Sequence, residues 1–232
     1  MEQGSFALRG AEGWHAATVR RLSVGERADV TNGAGTVAEC VVTSVGPGVI
    51  EFEVLATRTA PPQQPRVVVV QAIPKGDAGE LAVATMTEVG ADAVVAWDAE
   101  RCVARWRGER AAKGLARWRA AAREAAKQSR RAWIPDVTGP EATSAVAGRV
   151  AAAELALLLD PDAAAALGSI QLPARGEIIV IVGPEGGISP AEAEAMASAG
   201  AVAARLGPTV LRSSSAGAVA AALTLAHSGR WA

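Results

Sequence analysis

Glu177-Ile178-Ile179-Val180-Ile181-Val182-Gly183-Pro184-Glu185-Gly186-Gly187-Ile188-Ser189 is the stretch on which the fold turns. Residues 177–182 read as a strand that runs straight into a glycine-rich loop. Residues 190–198 then have helical spacing, with Pro190 in the first turn, where its missing N–H is no loss. Such a loop, at the carboxyl end of a parallel strand, is where α/β proteins bind small ligands. Gly186 and Gly187 permit positive φ and close approach of the backbone. No Gly-Lys-Ser/Thr follows, so this is not a P-loop, and the spacing is not the Gly-x-Gly-x-x-Gly of a dinucleotide site. Taken alone, the Gly-Gly pair is equally a tight strand-to-helix turn.

The pattern around this stretch sets the class. Val67-Val68-Val69-Val70-Gln71-Ala72-Ile73 is a continuous apolar run, as in a strand buried on both faces. Residues 77–89 have helical spacing and end at Gly90, a C-terminal cap. Strands are expected at 93–97, 154–159 and 201–205, and a closing helix at 213–227. Strands alternating with helices predict an α/β domain with a mostly parallel sheet. Two more loops lie at strand ends: Pro74-Lys75-Gly76-Asp77, and residues 205–215. In the second, Arg212 sits just before the last helix and Ser213-Ser214-Ser215 are capping residues for it. The three loops are expected to converge on one pocket. Residues 1–66 are β-rich, with short alternations separated by Asn32-Gly33-Ala34-Gly35 and Gly46-Pro47-Gly48, and predict a small barrel. Pro61-Pro62-Gln63-Gln64-Pro65 reads as the linker to a second domain spanning 67–232.

The net charge of −1 over 232 residues hides a strong asymmetry. Residues 101–131 hold 11 Lys and Arg against Glu109 and Glu124, a balance of +9. Residues 151–204 hold seven acidic residues against Arg175, a balance of −6. Within the basic segment, Ala111, Leu115, Trp118, Ala122 and Ala125 form an apolar stripe about 80° wide on a helical projection. Arg110, Lys113, Arg117, Arg119, Arg123 and Lys127 spread over the other side. A cationic face in which arginine outnumbers lysine suits bidentate contacts to a polyanion's phosphates. The alternatives are a solvated helix face or a membrane-surface helix, the latter disfavoured because alanine inserts weakly.

Composition excludes several classes. The 54 alanines leave the larger apolar residues at ordinary abundance for a globular protein, and no run approaches a membrane span. Two cysteines, Cys40 and Cys102, are too few for a disulfide framework or a zinc cluster, so no metal is expected. The polar, acidic N-terminus carries no export signal, and a reducing cytoplasm is the expected setting. There is no tyrosine to take part in chemistry.

The motifs together resemble one family. Residues 182–189 with Glu192, then Leu206-Gly207 and Val210-Leu211-Arg212, are similar to the RsmE family. These are uridine-N3 methyltransferases of small-subunit ribosomal RNA, of the SPOUT class. Lys75-Gly76-Asp77 with Glu88-Val89-Gly90 resembles the family's first strand–helix unit. Glu100-Arg101, Arg117-Trp118 and the segment 124–129 with Arg131 and Pro135 resemble its basic helix. His15, Arg21, Gly25 and residues 32–35 resemble its N-terminal barrel. The resemblance covers nearly the whole chain. It departs at Arg130, where the family has Gly, and at Ser213-Ser214-Ser215, where the family has Thr-Glu-Thr.

The resemblance implies a PUA-like RNA-binding barrel followed by a SPOUT α/β domain with a C-terminal trefoil knot. It implies a homodimer and S-adenosylmethionine as cofactor, held by Val182, Gly183, Pro184, Glu185, Gly186, Gly187, Leu206, Gly207, Val210 and Leu211. The alanines and valine of the last helix supply either core packing or the subunit interface. Uracil N3 is nucleophilic only once deprotonated, so a base or a cation stabilising the anion is needed. Arg212 serves as that cation, or binds phosphate at the helix terminus; Glu185 serves as base, or organises its loop. RNA contacts are expected at Arg9, His15, Arg20 and Arg21 in the barrel, and at Arg117, Arg119, Arg123 and Arg131 on the basic helix. The substrate is small-subunit ribosomal RNA or the assembled subunit. The competing functions are ribose 2′-O-methylation and a non-catalytic role in ribosome assembly.

Overall fold

The computed structural model describes residues 4–231. Met1 to Gln3, part of the polar N-terminus read above, and Ala232 lie outside the described residues. Two compact units divide between Pro62 and Gln63, within the proline-rich stretch.

The first unit begins with β1 (Ser5–Leu8) and a short helix α1 (Gly10–Trp14), which continues as a wider turn through His15–Val19. Three strands follow: β2 (Arg27–Thr31), β3 (Thr36–Gly46) and β4 (Val49–Thr59). They form one antiparallel sheet in the order β1-β4-β3-β2. Strand alternation places Ala38, Cys40 and Val42 of β3 beside Ile50, Phe52 and Val54 of β4 in a common core. Phe6 stacks on Phe52 with ring centroids 5.5 Å apart. Gly13 is required where α1 crosses, since a Cβ there would lie 2.5 Å from the Leu8 carbonyl oxygen.

The second unit alternates strands and helices. In order they are β5 (Arg66–Ala72), α2 (Ala78–Val89), β6 (Ala93–Trp97), α3 (Glu109–Gln128), β7 (Asp136–Glu141), α4 (Thr143–Ala152), β8 (Leu155–Leu159), β9 (Glu177–Val182), α5 (Pro190–Ser198), β10 (Val202–Ala204) and α6 (Ser213–His227). The six strands make one parallel sheet, ordered β10-β8-β9-β5-β6-β7. The central strands β5 and β9 are almost fully buried, which explains their unbroken valine and isoleucine. From β5 the chain moves outward through β6 to β7, then crosses to β8 and returns to place β9 against β5. That reversal makes the junction of β5 and β9 a topological switch point, and the carboxyl ends of the strands at such a point are where open α/β sheets bind ligands.

Helix α3 buries the predicted stripe at Trp118, Ala122 and Ala125. Trp118 packs edge-on to Trp106, with centroids 5.0 Å apart. Gly79 of α2 makes room for it, because a Cβ there would approach the indole nitrogen to 2.5 Å. Helix α6 turns Ala216, Gly217, Ala220, Ala221 and Leu225 into the core, so most of its small apolar residues serve packing. Val219 remains 38% exposed on its other side.

Besides α1 and its continuation in the β-rich first unit, three elements go beyond the sequence expectation. β1 is a short edge strand. β7 contains Gly139-Pro140, a turn signal in sequence, and is tolerated because β7 is also at the sheet edge. α4 is alanine-rich and lacks a clear apolar stripe.

No described helix is long and apolar enough to cross a membrane. Among the described residues there is no cluster of three His, Cys, Asp or Glu placed to hold a metal ion. Cys40 and Cys102 are free, buried thiols.

Candidate active site

The loop after β9 is a tight turn closed by donation from the Gly187 amide to the Pro184 carbonyl at 2.9 Å. Gly187 has φ 74°, the left-handed region that a side chain opposes. Gly183 is held against Ile188, where a Cβ would come within 2.6 Å of Cγ1. At Gly186 a Cβ would lie 3.2 Å from the Cβ of Arg101 and 3.3 Å from its carbonyl oxygen. The glycines therefore let the loop lie flat against its neighbours and leave its outer surface exposed at Glu185, Gly186 and Gly187.

Three other segments of the second unit bond to this loop. The Lys75 amide donates to Glu185 Oε1 at 3.3 Å, joining the loop after β5 to the loop after β9. Arg101 Nη1 donates to the Gly186 carbonyl at 3.2 Å from the loop after β6. Ser213 Oγ donates to the Gly183 carbonyl at 2.7 Å from the start of α6. The expected convergence of the three strand-end loops is thus present, and the loop after β6 joins it. Val182 is buried at the base, Leu206 and Gly207 are half-buried, and Val210 and Leu211 are 79% and 36% exposed.

Arg212 is the N-cap residue of α6, exposed, and makes no side-chain cap bond. The serines do not play the expected capping role. Ser213 is the first helical residue, and its hydroxyl is committed to Gly183.

Beneath the loop, Glu192 is only 4% exposed and forms a capping box with Ser189. Its carboxylate accepts from the Glu100 amide at 2.7 Å, the Ser189 amide at 3.1 Å and the Thr143 hydroxyl at 3.0 Å. Thr143 in turn accepts from the Trp97 indole at 3.2 Å. Burial pushes the Glu192 pKa up, but these donors outweigh it and hold the carboxyl below its ordinary value. Arg105 folds the loop after β6 on itself, donating to Asp98 at 3.1 Å and to the Ala99 carbonyl at 3.0 Å. Sequence reasoning missed Arg101 and the wider role of Glu192. In sequence Glu192 entered only as part of the family resemblance.

The basic helix sorts its arginines. Arg123 is exposed and makes no hydrogen bond or ion pair with the described residues. Arg117 is paired with Glu80 at 3.1 Å, and Arg119 donates to the Val137 carbonyl at 3.0 Å. Arg131 corrects the expectation of an RNA contact. Its side chain is 14% exposed and donates to the carbonyls of Thr87 at 2.8 Å and Ala91 at 2.7 Å, near Asp92. The guanidinium is turned inward, so it ties the end of α3 to the α2–β6 turn. In the first unit, Arg9, Arg20 and Arg21 are exposed and His15 is half-buried.

A family model described as an RNA methyltransferase domain matches residues 61–225, and one described as an RNA methyltransferase PUA domain matches residues 8–55. Fold and site thus define an RNA methyltransferase carrying an N-terminal PUA domain. The ribosomal RNA small subunit methyltransferase E of Mycobacterium bovis is 49% identical over 226 residues, covering 96% of this chain and 86% of that protein. The chain belongs to the ribosomal RNA small subunit methyltransferase E family. The Neisseria gonorrhoeae member, solved bound to S-adenosyl methionine, superposes with a TM-score of 0.85 at 26% identity, covering 97% of this chain and 92% of that one. A Legionella pneumophila methyltransferase solved with SAM gives a TM-score of 0.88 at 25% identity, with 97% and 93% covered.

Proposed function

We propose that the protein transfers the methyl group of S-adenosylmethionine to N3 of a uridine in small-subunit ribosomal RNA. The observation that carries this reading is the exposed glycine loop at the β5/β9 switch point in a chain of this family. The loop fits the cofactor: its glycines let it lie flat against Ile188 and Arg101 while residues 185–187 stay exposed, and the exposed Val210 and Leu211 are available for apolar contact. When bound, the cofactor supplies an electrophilic methyl sulfonium. Val182, Gly183, Pro184, Glu185, Gly186, Gly187, Leu206, Gly207, Val210 and Leu211 form its site, largely through backbone groups.

The chain's own task is alignment and charge. Arg212, exposed at the head of α6, stabilises negative charge on the uracil oxygens as N3 loses its proton. Glu185 is already engaged by the Lys75 amide, which favours the loop-organising role over that of base. The target base must be unpaired or flipped to be reached. Arg9, His15, Arg20 and Arg21 of the first unit, and Arg123 with Arg117 and Arg119 of α3, hold the surrounding RNA by its phosphates. The enzyme acts in the cytoplasm as a homodimer, using the exposed apolar residues Val210, Leu211 and Val219.

Methylation of small ribosomal subunits, followed by reverse transcription, tests the reading. N3 methylation blocks Watson–Crick pairing and stops the polymerase, whereas a ribose methyl does so weakly. Methyl transfer without a strong stop would point to 2′-O chemistry, and absence of both transfer and cofactor binding would point to an assembly factor.

A further inference from the structure

Gln71 lies at the end of β5, fully buried, beside the loop after β9. Its Nε2 donates to the Ala72 carbonyl at 3.0 Å and to Ser213 Oγ at 3.0 Å. Ser213 Oγ donates its own hydrogen to the Gly183 carbonyl at 2.7 Å. These bonds fix the amide's orientation. The Ala72 carbonyl only accepts, and the Ser213 hydrogen is committed elsewhere, so the end facing both must be the NH2. The other end, Oε1, is buried with no hydrogen-bond partner among the described residues. It sits against Gly217 of α6, where a Cβ would lie 3.1 Å away. An unpaired buried carbonyl is a standing cost, and a leucine of similar size would avoid it. Burying an amide here makes sense only if its donor side is needed.

We infer that Gln71 and Ser213 form a positioning relay that sets methyl donor and acceptor in register. The relay ties three elements at their ends: β5, the first residue of the glycine loop and the first residue of α6. Gly183 opens the cofactor loop, and Arg212 directly precedes Ser213. One hydroxyl therefore fixes the separation between the cofactor loop and the arginine facing the uracil. Neither Gln71 nor Ser213 touches substrate in this scheme; both act through Gly183 and Arg212. The inference rests on the cofactor and Arg212 roles proposed above.

The test compares Gln71→Leu, Ser213→Ala and Ser213→Thr with the wild-type chain. It reads the melting temperature, S-adenosylmethionine affinity by calorimetry, and kcat and KM on small subunits. Gln71→Leu removes the unpaired carbonyl, so its melting temperature should hold or rise, while kcat falls about tenfold to a hundredfold through misalignment. Ser213→Ala should lose a similar factor, and Ser213→Thr, which keeps the hydroxyl, should recover most of it. The double variant Gln71→Leu/Ser213→Ala should be no slower than the worse single variant, because both break one chain. Folded Gln71→Leu and Ser213→Ala with wild-type kcat would overturn the relay. So would decreases in kcat that only track decreases in melting temperature. If Gln71→Leu does not fold, Ser213→Ala against Ser213→Thr decides the matter. Failure of the wild-type chain to bind the cofactor would instead overturn the underlying reading, and the relay with it.

Discussion

Replacing Glu192 should loosen the active-site loops from below. Its carboxylate takes three donors from three segments: Glu100 after β6, Ser189 before α5 and Thr143 at the head of α4. Hydrogen bonds to a charged group contribute about 1.5–3 kcal/mol each, and a donor stranded in the interior costs a comparable amount. The three are coupled, so Glu192→Ala should lose about 4 kcal/mol rather than the full sum. For a unit of this size that is a fall of about 8–16 °C in melting temperature. Glu192→Gln keeps the shape and one acceptor, but turns an NH2 toward the Ser189 amide; about 2 kcal/mol should be lost. The sign with pH follows from the lowered pKa of the folded carboxyl. Stability from this group is present above the ordinary glutamate value and lost as pH falls through the folded one. The wild-type advantage over Glu192→Gln should therefore be widest near neutrality and shrink below about pH 4. Thermal melts of both proteins from about pH 3 to pH 7 measure this. Because Glu100 precedes Arg101, which holds Gly186, cofactor affinity should drop with stability. A Glu192→Gln protein with the wild-type melting curve at every pH would refute the argument.

Other substitutions should separate the arginines proposed to bind RNA from structural ones. Arg123→Ala should weaken RNA binding without lowering the melting temperature. The log–log salt slope should become shallower by about 0.7–0.9 for each phosphate that the variant no longer neutralises. Filter binding across a salt series reads this, with cofactor affinity unchanged as control. Arg131→Ala should instead destabilise the fold by about 2 kcal/mol, as chemical denaturation would register: the Ala91 carbonyl loses its donor, the Thr87 carbonyl keeps only the Gly90 amide, and Asp92 keeps Arg230 and the Val67 amide. Gly187→Ala places a side chain at φ 74° and should cost about 1–2 kcal/mol locally. Calorimetry should then show weaker cofactor binding while the RNA affinity stays intact.

The parallel-sheet strands with unbroken apolar runs were legible in sequence, and so were α5 and α6, whose predicted bounds match the structure. β7 was not, because Gly139-Pro140 says turn to any local reading and only its place at the sheet edge excuses it. The glycine loop and the convergence of strand-end loops could be read from motif order. Which partners each loop would find could not. Ser213 reads locally as a cap, yet its hydroxyl goes to a carbonyl 30 residues earlier in the chain. Arg131 reads as one more cation in a basic run, yet the carbonyls of Thr87 and Ala91, 44 and 40 residues earlier, claim it.

Residues 177–198 show where local and tertiary control divide. By itself the sequence determined that a buried strand ends in a glycine turn and a helix with proline in its first turn, because those outcomes depend on neighbours a few residues apart. It also set the charge asymmetry of the basic helix, since composition survives any folding. The tertiary structure alone decided that β9 lies beside β5, and so that Gln71, Ser213 and Gly183 meet. It alone decided which arginines of the basic segment stay free at the surface and which are engaged by the protein itself. Buried donors and acceptors must be paired, and the pairing is chosen by the packing of distant segments rather than by sequence proximity.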